Sequence, residues 1–379
     1  MQGGVVYLIA FFGCVVPDSL VLKWKGTSAA SNRFQKILLS YLDDQKVNIH
    51  SVVSNCHQEL FLLESGAIVH ANICLHGIVG RILVLFRTLR DVVLESRQCD
   101  IVVQFNPEYY SILTPIIAHF FGKRAIIVLS DFTGVSERGS LSRKFLSIVE
   151  AYSIKKYDKA IVLSNAKPMK DFQKILVYRG AIDTSEFKEV TINKDFHRTI
   201  ILYSGTYTEV SGIRLMLKAF EILCRRSDVE LHLTGAGELE SLVDDYSRRD
   251  RRIVNHGFVS RSELIRIYSA SHLVVNPRDM RFRQNSNNFP SKILEYLCTG
   301  RPIVTTRFSG IDDFEDALMF VSASDETEFS EILNVAVEKL PIIIDEAFTK
   351  NREIARRFDI SNQREKVRKF ILRSGDDLQ

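Results

Sequence analysis

Short apolar runs alternate with longer amphipathic stretches along nearly the whole chain. Each switch from a buried run to a helical period marks a strand followed by a crossover helix, and such units build parallel sheets. In the first half the predicted strands are Val5 to Val16, Val47 to Val53, Ile101 to Phe105, Ala125 to Leu129 and Lys159 to Ser164. Helices are predicted between them over Ser31 to Leu42, Gly80 to Glu95, Tyr109 to Phe121 and Leu141 to Lys156. The hydrophobic period is lost across the polar stretch Asp183 to Arg198, which marks a domain boundary. A second series follows, with strands at Thr199 to Ser204, Val229 to Thr234, near Ile253, at His272 to Asn276 and at Ile303-Val304. Its helices are Ile213 to Arg225, Glu238 to Ser247, Arg261 to Ala270, one opening at Pro290, Glu326 to Lys339 and Lys350 to Arg356. The fold class expected is α/β: two Rossmann-like domains, residues 1–186 and 187–358, with parallel sheets facing a cleft. Residues 359–379 form a last amphipathic helix returning to the first domain. Such sheets bind ligands at the carboxyl ends of their strands.

A chain of 379 residues suits two α/β domains, and 46% hydrophobic with 25% charged residues is ordinary for a globular protein. A net charge of +4 is too small to argue for nucleic acid. The six cysteines, Cys14, Cys56, Cys74, Cys99, Cys224 and Cys298, form no Cys-x-x-Cys pair and have no histidine at ligand spacing. A disulfide framework or zinc site is not expected, and a cytoplasmic location is. Val5 to Val16 has the length of a signal-peptide apolar region, but Met1-Gln2-Gly3-Gly4 carries no basic residue and no small-residue cleavage site follows. Nothing else reaches the roughly 20 apolar residues of a membrane span.

The segment Asn287 to Val304 reads as a helix start aimed at an anion. Pro290 suits a first helical position, and Ser291 and Lys292 add a hydroxyl and an ammonium to the positive helix end. Glu295 lies one turn on, on the face of Ser291, and Gly300 ends the helix before Arg301-Pro302. A carboxylate one turn below a phosphate seat can accept two ribose hydroxyls. Three glycine turns precede it, each after a strand: Gly205-Thr206, Gly235-Ala236-Gly237 and Gly257-Phe258. Each alone is also an ordinary tight turn, whereas three in series followed by this helix start point to a ligand.

Over about Ile200 to Asp313 these residues resemble the retaining nucleotide-sugar glycosyltransferases of family 4, which have the GT-B fold. Arg179-Gly180-Ala181-Ile182-Asp183 looks like that family's turn before the linker. The resemblance implies a nucleotide-sugar donor site lined by Gly205, Thr206, Gly235, Gly237, Phe258, Arg278, Asn288, Phe289, Ser291, Lys292 and Glu295. It also implies that Glu295 holds the ribose. The family's first glutamate, eight residues earlier, is Asn287 here, and its usual Arg and Lys after the first glycine turn are Thr206 and Ser211. No Asp-x-Asp metal motif is evident, so no metal or other cofactor is expected. Cations for the diphosphate then fall to Arg278 and Lys292, with Arg281 and Arg283 as reserves that also read as a solvated loop. Asp131 stands where the family often has a histidine and is equally an ordinary cap; with Asn287 and Arg278 it completes the catalytic candidates. His119 reads as a packed or surface histidine.

On the acceptor side, Lys25 to Arg33 is a small-residue run opening a helix, with Ser28 and Asn32 as candidates, and Asn106 is another strand-end candidate. The helix Gly80 to Arg97, edged by Arg81, Arg87, Arg90 and Arg97, reads either as a core helix or as a peripheral contact with the inner membrane face. The expected activity is transfer of a sugar from a UDP- or GDP-sugar to a glycan or lipid-linked glycan acceptor, in bacterial capsule, O-antigen or exopolysaccharide biosynthesis. A sugar-nucleotide epimerase and a non-catalytic GT-B subunit are the alternatives.

Overall fold

The computed structural model describes residues 5–21, 29–54, 60–74, 77–130, 141–164, 174–223, 227–282, 285, 288–322 and 325–373. The chain divides into two compact units, residues 1–180 with 363–379, and residues 181–362. In the first unit the strands are β1 (Leu8–Gly13), β2 (Lys46–Ser54), β3 (Leu60–Leu62), β4 (Ile68–Cys74), β5 (Ile101–Phe105), β6 (Arg124–Leu129), β7 (Lys159–Val162) and β8 (Ile175–Val177). They form one sheet in the order β3-β4-β2-β1-β5-β6-β7-β8, parallel except for β3 against β4. Accompanying them are the helices α1 (Asp18–Val21), α2 (Ala29–Ser40), α3 (Gly77–Gln98), α4 (Thr114–Phe120) and α5 (Leu141–Ile154).

The second unit carries β9 (Thr199–Ser204), β10 (Val229–Thr234), β11 (Ile253–Asn255), β12 (Leu273–Asn276), β13 (Ile303–Thr306) and β14 (Met319–Ser322). Its sheet is parallel throughout, in the order β11-β10-β9-β12-β13-β14. The helices are α6 (Ile213–Ile222), α7 (Glu240–Arg249), α8 (Arg261–Ala270), α9 (Lys292–Thr299) and α10 (Glu326–Arg357). The last helix, α11 (Ile360–Leu372), lies mostly in the first unit. There Lys159 donates to the carbonyls of Phe370 and Arg373, both at 2.7 Å, and Arg124 donates to those of Leu372 and Arg373. Cations thus cap the negative end of that helix. Each unit is an α/β layer built on a Rossmann-like sheet, as the alternation predicts.

Several elements differ from the sequence reading. The first strand is Leu8–Gly13, not Val5 to Val16, and Val5 and Val6 are exposed. The helix expected over Tyr109 to Phe121 shrinks to Thr114–Phe120, because Pro115 fits only the first turn of a helix. The two helices expected at Glu326 to Lys339 and Lys350 to Arg356 are one, α10, running through Pro341. Leu340, Ile344, Ala347 and Asn351 keep one buried stripe across the break, so packing overrides the lost hydrogen bond while the proline ring faces solvent. Strands β3, β4, β8 and β14 are absent from the sequence reading. Strand β4 escapes it because His70 and Asn72 interrupt its apolar run.

Asn72 belongs to a buried charge cluster, and the exposed His70 stacks on its edge. His50 on β2 stacks between Phe12 and His70, with ring centroids 4.9 and 5.2 Å away. Its Nε2 lies 2.9 Å from Glu95 on α3 and its Nδ1 lies 3.8 Å from Asp91. Asn72 donates to Asp91 at 2.8 Å and Asn48 to Glu95 at 2.9 Å. Burial opposes the imidazolium, but Asp91 and Glu95 outweigh it and raise the His50 pKa to about 8. A raised histidine pKa stabilises the fold fully below the unfolded value of 6.5, and that stability is lost as pH rises through about 8. Wild type should therefore lose about 2 kcal/mol of unfolding free energy between pH 6 and 8.5 that a His50→Gln variant does not lose. Denaturant titrations across that window check it, and identical pH slopes would refute it.

Candidate functional site

Parallel alignment brings the three glycine turns side by side, because β11, β10 and β9 are neighbours and each turn leaves a carboxyl end. The turns contact backbone to backbone. Gly205 N donates to Thr234 O at 3.0 Å, Gly235 N to Gly257 O at 2.9 Å, and Tyr207 N to Ala236 O at 3.0 Å. Gly235 has φ +150°, and a Cβ there would lie 1.8 Å from Gly205 O; a Cβ on Gly237 would lie 2.5 Å from Tyr207 O. Only glycine permits this approach, which leaves an uncluttered ledge of backbone at the strand ends. Phe258, directly after the third turn, is 75% exposed.

Helix α9 faces this ledge from the end of β12. Its first helical residue is Lys292, so Pro290 precedes the helix by two residues, and Ser291 caps it without a side-chain bond. The turn is tight, with Ile293 N donating to Pro290 O at 3.0 Å and Leu294 N to Ser291 O at 3.2 Å. Lys292 Nζ lies 2.9 Å from Glu295 Oε2 and 3.4 Å from Ser204 Oγ at the end of β9. The next residue, Tyr296, locks the helix to that strand: Ser204 N donates to its hydroxyl, which donates to Ser204 O, both at 3.1 Å. Burial opposes the Lys292 charge, yet Glu295 and Tyr296 hold its pKa above the ordinary lysine value. The ammonium and the carboxylate therefore stand side by side.

Glu295 Oε2 collects further donors. The Tyr268 hydroxyl approaches it at 3.4 Å and Arg261 Nη1 at 3.9 Å. Burial and the Glu295 charge push the Tyr268 pKa far up, so its phenol stays a neutral donor. Ser204, Tyr296, Tyr268 and Arg261 were not singled out in the sequence. Only the repeated spacing of α8 and α9 behind a shared strand end could have hinted at them.

Arg278, after β12, is half-buried. Its Nη1 donates to Asn285 Oδ1 at 3.1 Å, and its carbonyl accepts from Thr306 at 2.8 Å. Tyr203 feels both remaining cations: burial raises its pKa to about 12, and Lys292 and Arg278 pull it back. Arg281 is held in a fork by Asp279 at 2.6 to 3.0 Å. Thr206 and Ser211 build a neutral turn, with Thr206 O accepting from Tyr203 and Ser211, both at 2.6 Å. Phe289 is buried against Phe308 and Phe314, with centroids 5.8 and 5.7 Å away, while Asn288 beside it is half-buried. Asp131, Asn287, Ser28 and Arg283 lie outside the described residues. Among the described residues no group of three or more His, Cys, Asp and Glu could hold a metal ion.

In the first unit, Asn32 is buried and pairs with the Val16 backbone, accepting from its N at 2.9 Å and donating to its O at 3.0 Å. That amide closes the end of the loop after β1. Asn106, after β5, is the positive-φ non-glycine residue of the described chain, at φ 52°. Its side chain reaches across to the end of β6, accepting from Ser130 N at 2.8 Å and donating to Ser130 Oγ at 2.9 Å. His119 is surface-exposed and pairs with Asp158 at 3.0 Å.

The ledge makes a direct stability prediction. Gly235→Ala drives a methyl group into a backbone carbonyl and should cost at least about 3 kcal/mol, while Gly66→Ala, with φ +81° but open space, should cost only about 1 kcal/mol. Thermal unfolding of both variants checks this, and equal losses would contradict it.

Residues 198–338 match the family model described as glycosyl transferases group 1. No curated protein is significantly similar to the chain in sequence. HepE from Anabaena, solved in complex with UDP, superposes with a TM-score of 0.68 at 13% identity, covering 96% of this chain and 98% of that one. Sucrose-phosphate synthase from Thermosynechococcus elongatus gives 0.71 at 13% identity, covering 95% and 97%. The lipopolysaccharide outer core galactosyltransferase WaaB gives 0.66 at 14% identity, covering 96% and 99%. At these identities the likeness establishes the fold, which is GT-B. Residues 198–338 carry the match to the group 1 glycosyl transferases on a GT-B fold, and the chain is a glycosyltransferase.

Proposed function

We propose that the protein is a retaining enzyme that moves a sugar from a nucleotide-sugar donor to a glycan or lipid-linked glycan acceptor. The observation that carries the donor reading is the Lys292–Glu295 pair on the glycine ledge: one cation for a diphosphate beside one acceptor for a ribose diol. Solved HepE structures hold UDP and UDP-glucose, which supports UDP as the nucleotide here. In this reading Glu295 holds the ribose, Ser291, Lys292 and Arg278 face the diphosphate, and Phe258 borders the base. Asn287 and Asp131 serve the sugar, and Gly205, Thr206, Gly235, Gly237 and Asn288 line the ledge. The fold likeness to WaaB supports an acceptor among bacterial surface glycans, such as capsule, O-antigen or exopolysaccharide. The leaving diphosphate would rely on Lys292 and Arg278 for compensating charge.

Calorimetry with UDP and GDP tests the donor site. Glu295→Gln and Lys292→Ala should each weaken UDP binding by about 10- to 100-fold, since each removes a charge-assisted contact. Absence of binding to either nucleotide, or unchanged binding by both variants, would overturn the assignment. Turnover of UDP-sugar without any acceptor would instead favour an epimerase.

The membrane contact has its own observation. Among the described residues no helix is long and apolar enough to cross a membrane, yet α3 turns apolar side chains outward. Val79, Ile82, Leu83 and Phe86 are 40% to 70% exposed, while Gly80, Thr88, Asp91 and Ser96 face inward. Arg81, Arg87 and Arg90 flank the outward stripe, and no acidic residue precedes Asp91 on the helix. One sign of charge around an apolar stripe suits an anionic bilayer surface. The protein should co-sediment with vesicles containing phosphatidylglycerol and not with neutral ones, and Phe86→Ser should release it; equal recovery on both kinds of vesicle would refute the contact.

A further inference from the structure

The carboxylate assigned to the ribose is tied to a distant part of its own unit. Arg261 opens α8 and reaches two carboxylates at once. Its Nη2 lies 2.6 Å from Glu186 Oε2, and its Nη1 lies 3.9 Å from Glu295 Oε2. Glu186 belongs to the 3-10 turn Thr184–Phe187, four residues inside the point where the chain enters the second unit. The guanidinium also lies over the Phe187 ring, with Cζ 4.6 Å from its centroid. Phe187 is fully buried and packs on Tyr268, centroids 6.2 Å apart, and Tyr268 in turn donates to Glu295. Two routes therefore run from one turn to one carboxylate oxygen, through Glu186 and Arg261 and through Phe187 and Tyr268.

The same turn is fixed at its other end. Asp183 caps it by accepting from Ser185 N, and Thr184 donates from both N and Oγ1 to Asp359 Oδ2, at 3.1 and 2.6 Å. Ile182 N donates to Phe358 O at 2.9 Å, and Ile360 N donates to Ile182 O at 3.1 Å. The two chain crossings between units are thus bonded to each other at the turn that bears Glu186. A lone Arg261–Glu186 pair, with both side chains about one-third exposed, would contribute little to stability. Its geometry instead suits placing a positive charge behind Glu295. The Arg261 Nε is buried and has no hydrogen-bond partner, so packing on Phe187 and the two carboxylates, not saturation of its donors, set its pose.

We propose that Arg261 is a positioning residue that sets the Glu295 carboxylate for the donor ribose, and that Glu186 sets Arg261. This rests on the ribose reading of Glu295. Calorimetry with UDP and with 2′,3′-dideoxy-UDP, which lacks the diol, separates the two ideas. Arg261→Met should weaken UDP about tenfold and leave dideoxy-UDP within about twofold, the former corresponding to about 1.4 kcal/mol of coupling. In a Glu295→Gln background the same change should add no more than about twofold. Arg261→Lys should recover part of the loss, and Glu186→Gln should reproduce a smaller loss of the same kind, which also serves if Arg261→Met does not fold. Equal weakening of both nucleotides, full additivity with Glu295→Gln, or unchanged UDP binding would overturn the role of Arg261. If wild type binds both nucleotides equally and Glu295→Gln changes neither, the ribose reading itself fails and takes the proposal with it.

Discussion

A guanidinium with no exposed surface ties the second unit together at the end of its sheet opposite the glycine ledge. Arg301, between α9 and β13, donates to the carbonyls of Ser271 at 2.7 Å, Tyr268 at 3.0 Å and Ser269 at 3.1 Å, and also to that of Thr191. Burying an unpaired cation costs several kcal/mol, so the charge persists only because the carbonyl-rich end of α8 converges on it. Burial, with Arg352 nearby, lowers its pKa to about 10, which still leaves it charged at neutral pH. Asn351 completes the knot by donating to Arg301 O at 2.8 Å and accepting from Leu318 N at 2.8 Å. Two side chains, Arg301 and Asn351, thereby set α8, α9, β14 and α10 against each other.

That rigidity would let the proposed donor site work with few cations. Where the resembled family places Arg and Lys after the first glycine turn, Thr206, Thr208 and Ser211 form a neutral knot. Thr208 N donates to Ser211 Oγ and Ser211 N donates to Thr208 Oγ1, both at 3.1 Å. A knot of this kind shapes the ledge but adds no charge, so in the proposed reading phosphate recognition would fall to Lys292 and Arg278. Lys292 is held by Glu295 and therefore needs little reorganisation to meet an anion, which favours charge stabilisation over mere attraction.

The alternating pattern made the two Rossmann-like sheets legible, because parallel strands buried on both faces read as continuous apolar runs. The glycine turns and the α9 segment were legible for the same local reason: glycine, proline and caps act over a few residues. What stayed hidden depends on distance in sequence. Ser204 meets Tyr296 across 92 residues and Glu186 meets Arg261 across 75, and neither pair has a local signature. Strand β4 was hidden because its polar residues serve the His50 cluster, and the continuity of α10 because its buried stripe outlasts Pro341. Asn32 and Asn106 look like ligand residues in sequence since both end strands or open helices, whereas each amide is bonded to backbone that closes a neighbouring loop or strand end.

The placement of Glu295 shows why such a site is built on buried supports and not on surface pairs. Its Oε2 faces a lysine, a tyrosine and an arginine, each from a different local setting: its own helix turn, the last turn of α8 and the start of α8. Tyr268 is fixed by complete burial, Lys292 by the helix it shares with Glu295, and Arg261 by Phe187 and Glu186. A carboxylate restrained from three directions loses little further freedom when it accepts hydroxyls, so more of the contact energy reaches affinity. The most exposed restraint is Arg261, and both it and Tyr268 end on the turn where the two chain crossings meet, through Glu186 and Phe187. Any shift of that turn would therefore reach the carboxylate by both routes, through charge and through packing.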